Sequence, residues 1–247
     1  MLIVANWKAY VDDIEKAKEL FALSKRLVKG GGATIVLAPP APLLGSLAVN
    51  NTSAVEFCAQ DVSTSAGGAM TGENTARTFA TAGATYALVG HSERRALGDT
   101  DAIVTEKLER ALAHDLTPIL CVGESERDGE GQYLTVLREK ITAALTPLTA
   151  KERARVIIAY EPLWAIGKDA SSAIRPDDLT EMVLYIRKIL SELLPGKSAS
   201  RTIILYGGSV EPENAGGLVQ GSGIDGVLVG HASADPEMFS RLVKELT

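Results

Sequence analysis

Glu161 is the residue in this chain whose setting most invites chemistry. It closes an apolar run, Val156 to Ala159 and then Tyr160, and is followed at once by Pro162, Leu163 and Trp164. A run of that kind reads as a buried strand, and a proline directly after it prevents simple continuation. The carboxylate is therefore expected to project from the carboxyl end of a strand, where α/β sheets and barrels build their sites. Three further residues share this placing. Asn6 and Lys8 close the run from Leu2 to Lys8, two positions apart and so on one face of an extended chain. His91 emerges directly from the apolar run Tyr86 to Gly90. The set contains a carboxylate to remove a proton from a carbon beside a carbonyl, a donor to polarise that carbonyl, and a fixed cation to stabilise the resulting enediolate. Such a reaction calls for no redox cofactor. Each residue alone has a duller explanation: a turn-forming Asn, a solvated Lys, a core His, a surface Glu. Four of them at strand exits is the pattern that argues for a site. Backbone N–H groups at Gly167, Ser209, Gly230 and His231, in turns after the late strands, are suited to hold an anion such as phosphate.

The elements that must gather these residues follow one another without a linker. Strands are expected at Leu2–Lys8, Ala33–Ala38, Val55–Gln60, Tyr86–Gly90, Pro118–Gly123, Val156–Ala159, Thr202–Tyr206 and Gly226–Gly230. Between them lie helical patterns. The first places Ile14, Ala17, Phe21, Ser24 and Val28 on one face and stops at Gly30-Gly31-Gly32. Others run from about Leu43 to Val49, Asn74 to Ala82 and Tyr133 to Leu145, and a fourth face is formed by Val104, Leu108, Ala111 and Leu112. The helix opened by Pro176 has Asp177 and Asp178 in its first turn, and Asp235-Pro236 caps and starts the last one. Eight strand-then-helix units call for a parallel sheet with right-handed crossovers, and eight at this length close into a (β/α)8 barrel occupying residues 1–247 as one domain. A doubly wound open sheet is the competing arrangement. It lacks its glycine-rich turn, because Gly30 to Gly32 follows a helix and not a strand.

Composition narrows the class. Of the 247 residues, 46% are hydrophobic and 23% charged, and no apolar run is long enough to span a bilayer, so a membrane protein is not expected. Met1-Leu2-Ile3-Val4 has no basic leader, so the mature chain is expected to begin at Met1. The formal net charge of −6, without a basic run, argues against nucleic-acid binding. His91, His114 and His231 share no ligand spacing, so no metal is expected. Cys58 and Cys121, each inside an apolar run, suit reduced core thiols and a cytoplasmic protein better than a disulfide framework. The Ser-, Gly- and Thr-rich stretch between Asp61 and Glu73 has too few apolar residues for an element, and loops this long in compact domains tend to be functional.

Seven motifs stand in order along the chain: Asn6-Trp7-Lys8, Gly68-Ala69-Met70-Thr71-Gly72-Glu73, Gly90-His91-Ser92-Glu93-Arg94-Arg95, Cys121-Val122-Gly123-Glu124, Ala159 to Gly167, Tyr206-Gly207-Gly208-Ser209-Val210, and Gly226-Val227-Leu228-Val229-Gly230. In these the chain resembles the triosephosphate isomerase family over essentially its whole length. The resemblance implies a TIM barrel in which Glu161 is the base, His91 a neutral electrophile, Lys8 the cation, Asn6 an added donor and Glu93 a supporting acid. It implies interconversion of dihydroxyacetone phosphate and D-glyceraldehyde 3-phosphate, in glycolysis and gluconeogenesis, without a cofactor. It also implies a mobile lid over 162–172 with hinges at Pro162-Leu163-Trp164 and Ala170-Ser171-Ser172, and a homodimer through the 62–73 loop in which Thr71 of one subunit approaches Asn6 of the other. The chain departs from the family pattern at Ala9-Tyr10 after the Asn-x-Lys motif, at the loop tip Gly167 to Ser172, and at Gly230-His231, where two glycines are usual. Two other functions fit the same residues: an isomerase of a longer phosphorylated ketose such as a tetrulose phosphate, which would change only the pocket wall, and a non-catalytic phosphosugar-binding barrel, which would be expected to lose Glu161 or His91.

Overall fold

The computed structural model describes residues 1–166 and 173–247. Eight parallel strands form a closed barrel: β1 Leu2–Asn6, β2 Thr34–Ala38, β3 Glu56–Ala59, β4 Tyr86–Val89, β5 Thr117–Val122, β6 Ile157–Tyr160, β7 Ile204–Tyr206 and β8 Gly226–Val229. Each strand pairs with its neighbours in sequence, and β1 closes the ring by pairing with β8 through Leu2 against Gly226 and Ala5 against Val229. Around it lie α1 Ile14–Leu27, α2 Ala41–Ala48, α3 Ala76–Thr81, α4 Ser92–Ala96, α5 Asp101–Ala113, α6 Gln132–Leu145, α7 Ala150–Arg153, α8 Pro176–Leu193, α9 Ser198–Arg201, α10 Ala215–Val219 and α11 Pro236–Glu245. The expected alternation and barrel are both present.

Two apolar cores follow from the two-residue period of the strands. Inward positions, among them Leu2, Val4, Val36, Cys58, Leu88, Ile119, Cys121, Ile157, Ala159, Leu205 and Leu228, fill the barrel. Outward positions such as Ile3, Ala5, Trp7, Ile35, Phe57, Val89, Leu120, Ile158 and Val229 pack against the helices. The helices answer with the faces their spacing gives, for example Leu179, Met182, Val183, Ile186, Ile189 and Leu190 of α8. The same period positions the site. Continuing inward from Leu2 and Val4 gives Asn6, and continuing from Ile157 and Ala159 gives Glu161, so these two side chains form the next layer, at the carboxyl mouth.

Helix ends obey local chemistry. Asp13 accepts hydrogen bonds from the N–H groups of Glu15 and Lys16 to start α1, and Asp235 accepts from Met238 N to start α11, each side-chain cap worth about 1 kcal/mol. The glycines after α1 terminate a short 3-10 turn, Val28–Gly30, and not the α-helix itself, which ends at Leu27. Among the described residues, four short helices have no counterpart in the pattern expected from sequence: α4, α7, α9 and α10. Each is too short to show a 3.6-residue pattern, and α10 is masked by two glycines in Ala-Gly-Gly-Leu-Val. No described helix is long and apolar enough to cross a membrane.

Candidate active site

Asn6, Lys8, His91 and Glu161, from three separate segments of the chain at the exits of β1, β4 and β6, line one cavity of about 370 Å³ at the carboxyl mouth of the barrel. The remaining lining comes largely from the exits of β7 and β8, including Gly207, Gly208, Ser209, Gly230 and His231. Gly167 and the rest of the expected lid tip lie outside the described residues.

Glu161 is 2% exposed. Its backbone N–H extends the ladder beyond β6 by donating to Val122 O at 2.7 Å. Its Oε2 accepts from Ser92 N at 3.2 Å, whereas Oε1 is buried and accepts no hydrogen bond among the described residues. That free oxygen faces His91 Nε2 at 3.5 Å. Two glycines make room for this arrangement. A Cβ at Gly123 would overlap the Glu161 carbonyl, and one at Gly207 would sit 2.9 Å from Glu161 Cγ, so a side chain at the first would displace the Glu161 backbone and one at the second its carboxylate. Beneath it lies Cys121, whose thiol is pushed up first by burial and then by the Glu161 carboxylate, and so stays neutral.

His91 is the N-cap of α4, and its Nδ1 accepts from Glu93 N at 3.2 Å. An acceptor at Nδ1 requires a lone pair there, which leaves the proton of the neutral ring on Nε2, the nitrogen aimed into the cavity. The backbone of the short helix thus fixes the tautomer needed for donation to a substrate oxygen.

Lys8 reaches the cavity by a route that strand alternation does not describe. β1 ends at Asn6, and Lys8 adopts a φ of 47°, a conformation unusual for a side-chain-bearing residue. Its N–H donates to Asn6 Oδ1 at 3.1 Å, and its carbonyl accepts from Gln60 Nε2 at 2.9 Å. Gln60 also donates to Ala38 O at 2.9 Å, so one amide at the end of β3 pins the turn to β2. Strain of this sort is held by its surroundings, here by Gln60 and Asn6. The ammonium sits 2.7 Å from Glu93 Oε1, which restrains it, and Glu93 is itself largely exposed.

The segment after Glu161 is anchored by a buried network that the sequence reading did not single out. Glu124, at the exit of β5, is 1% exposed, and its Oε1 accepts from Tyr160 Oη at 2.8 Å, Trp164 Nε1 at 2.9 Å and Arg127 Nε at 3.5 Å. The Arg127 guanidinium also lies 5.1 Å over the Trp164 ring. Burial alone would lower the Arg127 pKa, but Tyr160 and Glu124 outweigh it and hold the group above its ordinary value. Tyr160 is pushed up by burial first and by the Glu124 charge second. On the other side of the segment, Ser209 Oγ donates to Ala165 O at 2.9 Å. The segment Pro162-Leu163-Trp164, expected to act as a hinge, is therefore held at both flanks. The sequence shows only that Glu124 follows the exit of the strand that precedes the one carrying Tyr160 and Trp164.

Among the described residues no group of three or more His, Cys, Asp or Glu side chains is arranged to hold a metal ion. What the arrangement can do is move a proton: a water-shielded carboxylate with one free oxygen, a neutral imidazole donor beside it, a restrained ammonium, and turns that present backbone donors.

Comparison with known proteins gives the same direction. A family model described as triosephosphate isomerase matches residues 1–246. A triosephosphate isomerase of Roseiflexus castenholzii is 39% identical, with all of this chain and 97% of that protein covered. One of Thermus thermophilus is 40% identical over 99% of this chain and 98% of that protein, and one of Symbiobacterium thermophilum 38% identical over 98% and 94%.

Proposed function

The chain belongs to the triosephosphate isomerase family, and we propose that it interconverts dihydroxyacetone phosphate and D-glyceraldehyde 3-phosphate through an enediolate. Glu161 Oε1 removes the proton from the carbon beside the carbonyl. His91 Nε2–H donates to the carbonyl oxygen as negative charge develops there, and Lys8 and Asn6 stabilise that charge. The proton held on Glu161 is then returned to the neighbouring carbon, with a proton exchanged between the two oxygens through His91. Hydrogen is only relocated within the substrate, so the reaction draws on no redox cofactor. Backbone N–H groups at Gly167, Ser209, Gly230 and His231 hold the phosphate, and Glu93 keeps Lys8 in place. The observation that carries this reading is the pairing of a buried carboxylate oxygen without a hydrogen-bond donor with the Nε2 of a tautomer-fixed histidine 3.5 Å away. A coupled assay of the purified protein with both triose phosphates, and in parallel with a tetrulose phosphate, tests it. Turnover of the trioses at far higher kcat/KM than the longer ketose is expected.

The protein acts as a homodimer through the 62–73 loop. What supports this is the loop's exposure from Ala66 to Asn74, including Met70 at 56%, and a second cavity of about 520 Å³ lined by Asn6, Lys8, Glu93, Arg94 and the loop base. The loop tip of a second subunit entering that cavity would brace Asn6 and Lys8 from behind. Two free, buried cysteines fit a reducing cytoplasm, where the reaction serves glycolysis and gluconeogenesis.

A further inference from the structure

The anion end of the cavity carries side chains that the reaction above does not use. Tyr10, in the turn after β1, meets His231, after β8, edge to face, with ring centroids 5.8 Å apart and planes at 85°. His231 Nδ1 faces Glu211 Oε1, after β7, at 4.0 Å. All three line the cavity beside Gly208, Ser209 and Gly230. Glu211 is an awkward neighbour for a phosphate. Its Oε2 is buried and accepts no hydrogen bond among the described residues, and a carboxylate in a partly desolvated cleft repels an anion placed beside it. Burial pushes the Glu211 carboxyl above the ordinary glutamate range, with His231 opposing and Glu213 adding to that shift.

Among the described residues, the other charges near this wall are already engaged. Lys8, whose Nζ would lie 3.8 Å from a Cβ at Gly230, is held by Glu93, and Glu213 is paired with Arg241 at 2.8 Å. The His231 ring faces Glu211, and Tyr10 limits the directions that ring can take. We propose that Glu211 and His231 form a couple that determines how tightly the anionic group of the substrate is held, with Tyr10 as the residue that positions the imidazole. The proposal rests on the isomerase reading only for where the phosphate sits. When the imidazole is present, the carboxylate is turned toward it and its field at the anion is reduced. Without it, Glu211 faces the anion uncompensated.

The test is a cycle of His231→Ala, Glu211→Gln and the double variant, read both as KM and kcat for the triose phosphates and as the affinity of the enzyme for inorganic phosphate by calorimetry. His231→Ala should raise KM and weaken phosphate binding by about two- to fivefold, with a smaller change in kcat. Adding Glu211→Gln should bring both back to near the parent values, because removing the carboxylate removes what the histidine compensated. A merely structural disturbance of the β8 turn is not repaired by a change after β7. Tyr10→Ala should give a smaller loss that Tyr10→Phe does not, since the ring and not the hydroxyl makes the contact. A double variant as weak as His231→Ala, or a His231→Ala protein that binds phosphate as tightly as the parent, overturns the proposal. If phosphate binding follows the cycle while no phosphosugar is turned over, the couple stands and the isomerase reading falls.

Discussion

Trp164 donates its indole N–H to Glu124 Oε1 across 2.9 Å, and the acceptor is almost wholly buried between two strand exits. The segment that carries Glu161 is thereby tied to the exit of β5. Glu124→Ala would leave Tyr160 Oη and Trp164 Nε1 without their acceptor, at about 1–3 kcal/mol for each buried polar group left unmet. The expected outcome is a lower melting temperature together with a loss of about tenfold or more in kcat/KM, since small misplacements of a base are costly. Glu124→Gln, which keeps an acceptor oxygen, should be much milder. Thermal unfolding and steady-state kinetics on the two variants check this, and equal behaviour of both would count against the anchoring role.

Gly207 supplies the space for the Glu161 side chain, because a Cβ there would lie 2.9 Å from Cγ. Gly207→Ala is predicted to displace the carboxylate and lower kcat by about 10²-fold while leaving the circular dichroism of the barrel unchanged. A variant with parent kcat would show that the carboxylate tolerates the shift.

Acid stability should depend on Asp128. Its carboxylate accepts N–H bonds from Gln132, Tyr133 and Glu130, and these hold its pKa below the ordinary 3.8. A carboxyl depressed in the folded state contributes stability that is present above the unfolded value and lost as pH falls through the folded one. Melting temperature measured from about pH 5 down to about pH 2 should therefore fall less steeply for Asp128→Asn than for the parent. Parallel curves would remove Asp128 from the account.

The dimer is tested by shortening its loop. Deleting Ser65 to Ala69 is expected to give monomers with strongly reduced kcat and unchanged helical content, as Asn6 and Lys8 lose the bracing of a second subunit. Light scattering of the intact protein at micromolar concentration should return twice the chain mass. A fully active monomer would contradict both the interface and its part in the reaction.

The barrel was legible because its signals are periodic. The inward series Leu2, Val4, Asn6 and Ile157, Ala159, Glu161 needs only alternation to put an amide and a carboxylate at one mouth. Lys8 was expected there by the same alternation, and it is there for a different reason: the strand has ended, and a turn with φ 47°, pinned by Gln60, redirects it. The cap at Thr149 and Glu152 was readable as a Thr-x-x-Glu capping box, yet α7 spans only four residues and carries no periodicity to draw notice. Glu124 and Arg127 could not be recognised as the anchor of Trp164 because their partners lie 33 to 40 residues away, and pairwise closeness across strand exits is a property of the closed barrel. The meeting of Tyr10 with His231 and Glu211 is invisible for the same reason, since it joins the first, seventh and eighth strand exits.

Glu161→Gln tests whether Glu161 is the base, because it keeps the side chain's shape and its bond from Ser92 N while removing its proton affinity. With dihydroxyacetone phosphate as substrate, kcat is expected to fall by about 10²–10⁴-fold, with KM and melting temperature changing little. A purified Glu161→Gln protein that retains the parent kcat would contradict the account.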